Sequence, residues 1–154
     1  MKIVGKSMYE KSVLAMCDCG SHIMEFFVYK DYQGELKTGI SYYGYFKDRR
    51  INYIDVWFKS NDCLEKICHF LSNESLFSTE GLVFDESVIE NGRFEIVVDS
   101  ELKYIYFNRY SKSRYKKGQK TTWDICIKDS NIPELVEGLL ELINYLKEHS
   151  SKND

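Results

Sequence analysis

The sequence lacks the motifs by which many enzymes are recognised. It contains no P-loop, no Gly-x-Ser-x-Gly elbow and no His-Glu-x-x-His pair. Its three histidines are scattered along the chain, so neighbouring positions do not assemble a nucleophilic or acid–base set. We therefore expect no enzymatic activity and no cofactor.

Long apolar runs and paired cysteines are missing as well. No segment approaches the roughly 20 apolar residues of a membrane-spanning helix, and the start of the chain lacks the apolar core and cleavage site of a signal peptide. The five cysteines are an odd count, which argues against a disulfide framework. We expect a soluble cytoplasmic protein with no membrane partner.

A metal site is also not expected. Cys17, Cys19 and His22 lie close together in the sequence. Their C-x-C spacing differs from the C-x₂-C pairs of zinc sites, and no second pair of ligands follows. Buried free thiols are the simpler interpretation.

The single proline contrasts with twelve tyrosines and nine phenylalanines, which predicts strands because aromatic side chains fit a pleated sheet surface. Turn signals such as DYQGE and ENG separate the apolar runs. Eight strands are predicted, at residues 13–18, 22–30, 36–46, 51–59, 81–89, 93–98, 102–110 and 120–128. A bend or bulge is expected in the third, at Gly39 or Gly44.

In two segments the apolar residues recur at helical spacing instead of alternating with polar residues as in a strand. A first helix is predicted at about 62–72, with Asp62 and Glu65 in capping-box register. A second is predicted from the first turn around Pro133 to about residue 148, where a continuous apolar stripe faces a polar one.

Both halves thus read as four strands followed by a helix, and the joints VWFKSND and ICIKDSN are alike. This period of about 70 residues predicts a duplicated unit. We predict one α+β domain, residues 1–154, built from two ββββα repeats, each an antiparallel four-stranded sheet followed by a helix. The repeats cover about 13–72 and 81–148, with a linker at 73–80.

The candidate binding residues are concentrated in residues 103–123, where cations and aromatic rings alternate without an acidic residue. The predicted site consists of Lys103, Tyr104, Tyr106, Arg109, Tyr110, Lys112, Arg114, Tyr115, Lys116, Lys117, Lys120 and Trp123. Cations that follow a phosphate backbone, beside rings that stack on bases, are typical of single-strand nucleic-acid grooves. The alternative is an aromatic hairpin whose tip is kept soluble by lysines.

Charge is strongly segregated. The net charge of the chain is −3, and residues 103–120 alone carry +7, so the remainder carries −10. A localised basic face suits an anionic partner or an acidic protein surface. A weaker secondary patch is predicted in the first half, at Tyr43, Tyr45, Lys47, Arg49 and Arg50, with an ordinary charged turn as the alternative.

The second half resembles the Pur-repeat, Whirly and transcriptional-coactivator group of single-strand nucleic-acid binders. The resemblance is carried by residues 106–110 (YFNRY), 117–120 (KGQK), 123–127 (WDICI) and the helix after Pro133. It implies a Whirly/Pur-like pseudo-dimer that binds nucleic acid across the outer sheet face and the hairpins.

Two functions remain open at this point. The first is a non-enzymatic module that binds single-stranded DNA or RNA through the basic, aromatic β-hairpin. The second is a small interaction protein of the phage or mobile-element type, which binds and inhibits a host protein, since tyrosine and arginine also dominate protein interfaces. The two halves could form a monomeric pseudo-dimer, or the chain could form a homodimer.

Overall fold

The computed structural model describes residues 9–18, 22–111 and 125–150. Its helices are α1 (Asp62–Leu71) and α2 (Ile132–Ser150), with 3₁₀ turns at Leu76–Ser78 and Asp129–Asn131. Its strands are β1 (Lys11–Met16), β2 (Ile23–Lys30), β3 (Leu36–Phe46), β4 (Arg49–Trp57), β5 (Leu82–Phe84), β6 (Gly92–Asp99), β7 (Tyr104–Ser111) and β8 (Ile125–Lys128).

The strands form two antiparallel sheets of four, in the orders β1-β2-β3-β4 and β5-β6-β7-β8. The predicted α+β class is therefore confirmed, and each sheet is followed along the chain by a helix. Backbone contacts also join the two sheets. Phe58 forms an isolated bridge with Ile89, and the Asp18 amide donates a hydrogen bond to the Cys126 carbonyl.

The strand predicted at 81–89 is too long. It ends at Phe84 because Asp85 begins a turn, in which its carboxylate accepts hydrogen bonds from the Ser87 amide and hydroxyl. Such local side-chain bonds compete with a sheet ladder. Of the strand predicted at 120–128, residues 125–128 are observed, and 120–124 lie outside the described residues.

The capping box predicted for the first helix does not form. The Asp62 amide donates to the Ser60 hydroxyl at 3.2 Å instead. The N-cap residue is Asn61, whose side chain donates to the Leu36 carbonyl and accepts from the Thr38 hydroxyl. These bonds attach the start of α1 to β3.

The bend or bulge predicted in the third strand, at Gly39 or Gly44, is found on the neighbouring strand instead. Tyr42 pairs with Ile54 and Tyr43 with Asn52, so Tyr53 is the extra residue, on β4. Gly39 has a different role. A Cβ there would lie 2.6 Å from the Val56 carbonyl oxygen and 2.7 Å from Phe27 Cζ, so only glycine lets these groups approach.

The core lies between the inner sheet faces and the two helices. Met24, Phe26 and Val28 enter it from β2, and Ile105 and Phe107 enter it from β7. The helices pack against each other, and α2 also packs against β1 and β2. Neither described helix combines the length and apolarity needed to cross a bilayer.

Candidate functional site

Three of the predicted stacking tyrosines share one face of the second sheet. Along β7, Ile105 and Phe107 are buried in the core, so the alternating residues Tyr104, Tyr106 and Tyr110 lie on the opposite, outer face. All three are half-buried, and the Tyr104 and Tyr106 ring centroids are 6.3 Å apart. The strand therefore presents a row of rings on the side away from the core.

A polar cluster fixes the end of this row. Glu95 Oε1 accepts hydrogen bonds from the Tyr110 hydroxyl at 3.0 Å and from Asn108 Nδ2 at 3.3 Å. Arg93 Nη2 lies 3.5 Å from Glu95 Oε2, and the Arg93 guanidinium carbon lies 4.6 Å from the Tyr110 ring centroid. Burial, and then the bond to Glu95, raise the pKa of Tyr110, so its hydroxyl remains a donor at neutral pH.

Described cations border the other end of the row. Lys128 is exposed and pairs with Tyr104 in the β7–β8 register. Lys103 is exposed at the β6–β7 turn, with a φ of 59° and its ammonium 5.1 Å from the Phe77 ring centroid.

The remaining predicted residues of the basic stretch belong to the connection between β7 and β8. Lys112, Arg114, Tyr115, Lys116, Lys117, Lys120 and Trp123 lie outside the described residues. β7 ends at Ser111, next to Tyr110, and residues 112–124 follow it in the sequence before β8 begins. The chain thus leads from the row of tyrosines directly into its most basic segment.

Arg109, a predicted phosphate ligand, instead lies inside the protein. It shares the inner face of β7 with Phe107 and is 6% exposed. Its guanidinium donates to the backbone carbonyls of Asp55, Glu90, Asn91 and Tyr110. Burial lowers the pKa of Arg109. Its donors are engaged with carbonyls of three separate chain segments, so we assign it a structural role.

The secondary patch is only partly on the surface. Lys47 and Arg49 are exposed at the β3–β4 turn, where Lys47 has a φ of 50°. Tyr43, however, is 1% exposed and cannot offer a free ring, and Tyr45 packs edge-on against it with centroids 5.8 Å apart. Burial raises the pKa of Tyr43 to about 12.

Arg50 lies over the ring of Tyr43. Its guanidinium carbon lies 3.7 Å from the Tyr43 ring centroid, and its Nη2 lies 3.1 Å from Oε1 of the buried Glu25. The charge of Arg50 is therefore held in place from two sides, while the side chain remains 34% exposed.

An aromatic group on the outer face of the first sheet was missed by sequence reasoning. Tyr9 stacks on Phe27 with centroids 4.0 Å apart, and Trp57 meets Phe27 and Tyr29 edge-on at 5.5 and 5.2 Å. The alternation in β2 places Phe27 and Tyr29 on one face, which is a usable signal. The approach of Trp57 depends on the sheet register, which the sequence does not reveal.

The cysteines of the described region are buried thiols outside any disulfide: Cys17, Cys63, Cys68 and Cys126. Burial raises the pKa of both Cys63 and Cys68, which keeps these thiols protonated and unreactive at neutral pH. Within residues 9–18, 22–111 and 125–150, no three potential ligands from His, Cys, Asp and Glu come close enough to hold a metal ion. Cys19 lies outside these ranges.

A groove runs between β1 and α2. It encloses about 320 Å³ and is lined by Val13, Leu14, Leu135 and Gly138 and by the carboxylates of Glu134, Glu137 and Glu141. Leu14 is 53% exposed there. The exposed side of α2 is therefore one place where the acidic residues of this charge-segregated chain are concentrated.

Comparisons with protein-family models, with curated proteins and with solved structures find no match to this chain.

Proposed function

We propose that this protein is a non-enzymatic module that binds single-stranded nucleic acid across the outer face of its second sheet. The observation that carries the proposal is the row of Tyr104, Tyr106 and Tyr110, which leads into the basic β7–β8 connection. Each base stacked on an aromatic side chain contributes about 1–3 kcal/mol and does so for any base. The proposed ligand is therefore a single strand with little sequence preference.

The charge distribution supports this ligand. Residues 103–120 carry +7 in a chain of net charge −3, and +6 remains when the buried Arg109 is left out, so the attraction for an anion is local. For single strands, log K falls with log salt at about −0.7 per phosphate contacted. About five contacts would therefore weaken binding roughly 100-fold between 50 and 200 mM salt.

We further propose that the two halves form a Whirly/Pur-like pseudo-dimer within one chain. The strand order of both sheets supports this arrangement, as does the buried central pair in each sheet. That pair is Phe26 with Ile40 in the first sheet and Ile96 with Phe107 in the second.

The test is a fluorescence-polarisation titration of labelled single-stranded DNA and RNA. The variant K116E/K117E reverses two charges in the basic connection. K66E/K147E makes the same change in net charge at exposed positions on α1 and α2. We expect the first pair to abolish salt-dependent binding and the second to preserve it. Equal losses in both variants would show that only the net charge matters.

A second candidate function is binding to a protein, as an inhibitor of a host protein would do. It is favoured by exposed aliphatic residues on the same outer face. Val83 is 60% and Val97 is 38% exposed, and they pair with Glu95 and Tyr106. Exposed apolar patches often mark protein interfaces. Under this function, V83S/V97S would abolish capture of a protein target, and the isolated protein would not bind oligonucleotides.

A further inference from the structure

The outer faces of the two sheets carry the same three residue types, with the glutamate and the tyrosine at equivalent positions. In the first sheet, Ile23 pairs with Tyr43, and Glu25 is two residues further along β2. In the second sheet, Arg93 pairs with Tyr110, and Glu95 is two residues further along β6. Each sheet thus places a glutamate diagonally across from a tyrosine on its outer face.

An arginine completes each group, although it comes from a different strand in each sheet. Arg50 reaches Tyr43 and Glu25 from β4, and Arg93 reaches Tyr110 and Glu95 from β6. In both groups the guanidinium lies over the tyrosine ring with one amino group beside the carboxylate. The two arginine side chains are similarly accessible, at 34% and 38% exposed.

The bulge in β4 is what brings Arg50 into its group. Asp55 and Trp57 pair with Ser41 and Gly39, whereas Arg50 pairs with Tyr45. The extra residue reverses the alternation of β4, so Arg50 lies on the same outer face as Asp55 and Trp57. Without the bulge it would point to the other face, away from Tyr43.

Resting on the proposed function, we infer that Glu25–Tyr43–Arg50 and Glu95–Tyr110–Arg93 are two equivalent platforms, each of which stacks one unpaired base of the bound strand. Bases stack on arginine guanidinium planes as they do on aromatic rings. The tyrosine and the glutamate hold the guanidinium in place beforehand, so little conformational freedom remains to be lost on binding.

The second platform also offers polar atoms to a base edge. Arg93 Nε and Asn108 Oδ1 are buried and have no hydrogen-bond partner among the described residues. Asn108 itself is 6% exposed, and its Nδ2 is engaged with Glu95. Buried polar groups normally have hydrogen-bond partners. One donor and one acceptor next to Tyr110 are therefore left for a ligand.

The carboxylates make these platforms distinguishable from phosphate contacts. Each arginine has its charge compensated by a glutamate within 3.5 Å. A platform that stacks a base contributes affinity without adding to the number of phosphate contacts. Loss of a platform should therefore weaken binding while the dependence on salt stays unchanged.

The test uses R50K, R93K and the double variant, which keep the charge but remove the guanidinium plane. The probes are a labelled oligothymidylate and an abasic oligonucleotide of the same length. K66R is the control, since it also exchanges one cation for another and Lys66 is exposed on α1, outside both platforms. We expect at least about fivefold weaker oligothymidylate binding for each single variant, with the two losses multiplying in the double variant. The salt slope and abasic binding of the platform variants, and all binding by K66R, should match the wild type.

Two results would overturn the platforms while leaving the proposed function intact. One is wild-type affinity of the double variant for oligothymidylate. The other is an equal loss on both probes, which would mean that the arginines contact phosphate or only support the fold. If the wild-type protein binds neither probe at low salt, the proposed function itself fails.

Discussion

Replacing Arg109 by methionine tests whether this buried residue stabilises the fold or binds the ligand. Methionine keeps most of the aliphatic stem but removes every donor of the guanidinium. The carbonyls of Glu90 and Asn91, which accept at 3.1 and 3.2 Å, would lose these bonds, together with those of Asp55 and Tyr110. We expect the variant to fold less stably without any direct effect on ligand contact.

The magnitude follows from the number of bonds. A hydrogen bond to a charged group contributes about 1.5–3 kcal/mol, and part of the total is offset because the buried charge is also removed. A net loss of about 3–5 kcal/mol is a large part of the roughly 5–15 kcal/mol by which domains are stable. At about 2–4 °C per kcal/mol, the melting temperature should fall by roughly 6–20 °C.

Urea unfolding followed by circular dichroism measures this loss. The half-exposed Arg93 provides the control, because R93M should cost less than about 1 kcal/mol. R109K should behave like R109M, since one ammonium cannot serve four carbonyls. An R109M protein that unfolds like the wild type but no longer binds oligonucleotide would refute the structural role and return Arg109 to the binding site.

Three further predictions concern stability and reactivity. Gly92 has a φ of 146°, and a Cβ there would collide with the Tyr110 carbonyl oxygen, so G92A should lose more than about 2 kcal/mol in urea unfolding, whereas G34A, where nothing lies within 4 Å, should lose less. Because burial raises the pKa of Tyr43 to about 12, the native state holds this proton more tightly than the unfolded chain does. The stability that the buried, protonated Tyr43 contributes is complete below the ordinary tyrosine pKa near 10 and is lost as the pH rises towards 12. Because Y43F has no hydroxyl to ionise, its alkaline unfolding should begin at a higher pH than that of the wild type. The buried Cys63 and Cys68 should react with a thiol reagent only on unfolding, and rapid labelling of both in the native protein would contradict their burial.

The sequence predicts where the strands and helices lie better than it predicts the face of the sheet on which each side chain lies. The helix beginning near Pro133 and the turn at DYQGE follow from local chemistry. In the turn, Asp31 accepts hydrogen bonds from the Gln33 and Glu35 amides, as an Asx turn should. Both features depend only on residues that are close together in the sequence. Local patterns of this kind are enough to predict two units of four strands and a helix.

The face of the sheet on which a strand residue lies cannot be read from the residues next to it in the sequence. In β7, aromatic residues occupy both faces, since Tyr106 lies outside and Phe107 inside, so alternation does not reveal that Arg109 points inward. In β4 the bulge at Tyr53 reverses the alternation, which determines where Arg50 lies. Side-chain direction at the candidate site therefore follows from register, which emerges only when strands pair.

The central claim is tested most directly by titrating the purified protein against labelled single-stranded DNA and RNA at about 50 and 200 mM salt. The account predicts micromolar or tighter binding that weakens roughly 100-fold across this range and disappears in K116E/K117E. Absence of binding at the lower salt concentration, with the protein folded, would contradict it and would leave a protein partner as the ligand of the tyrosine face.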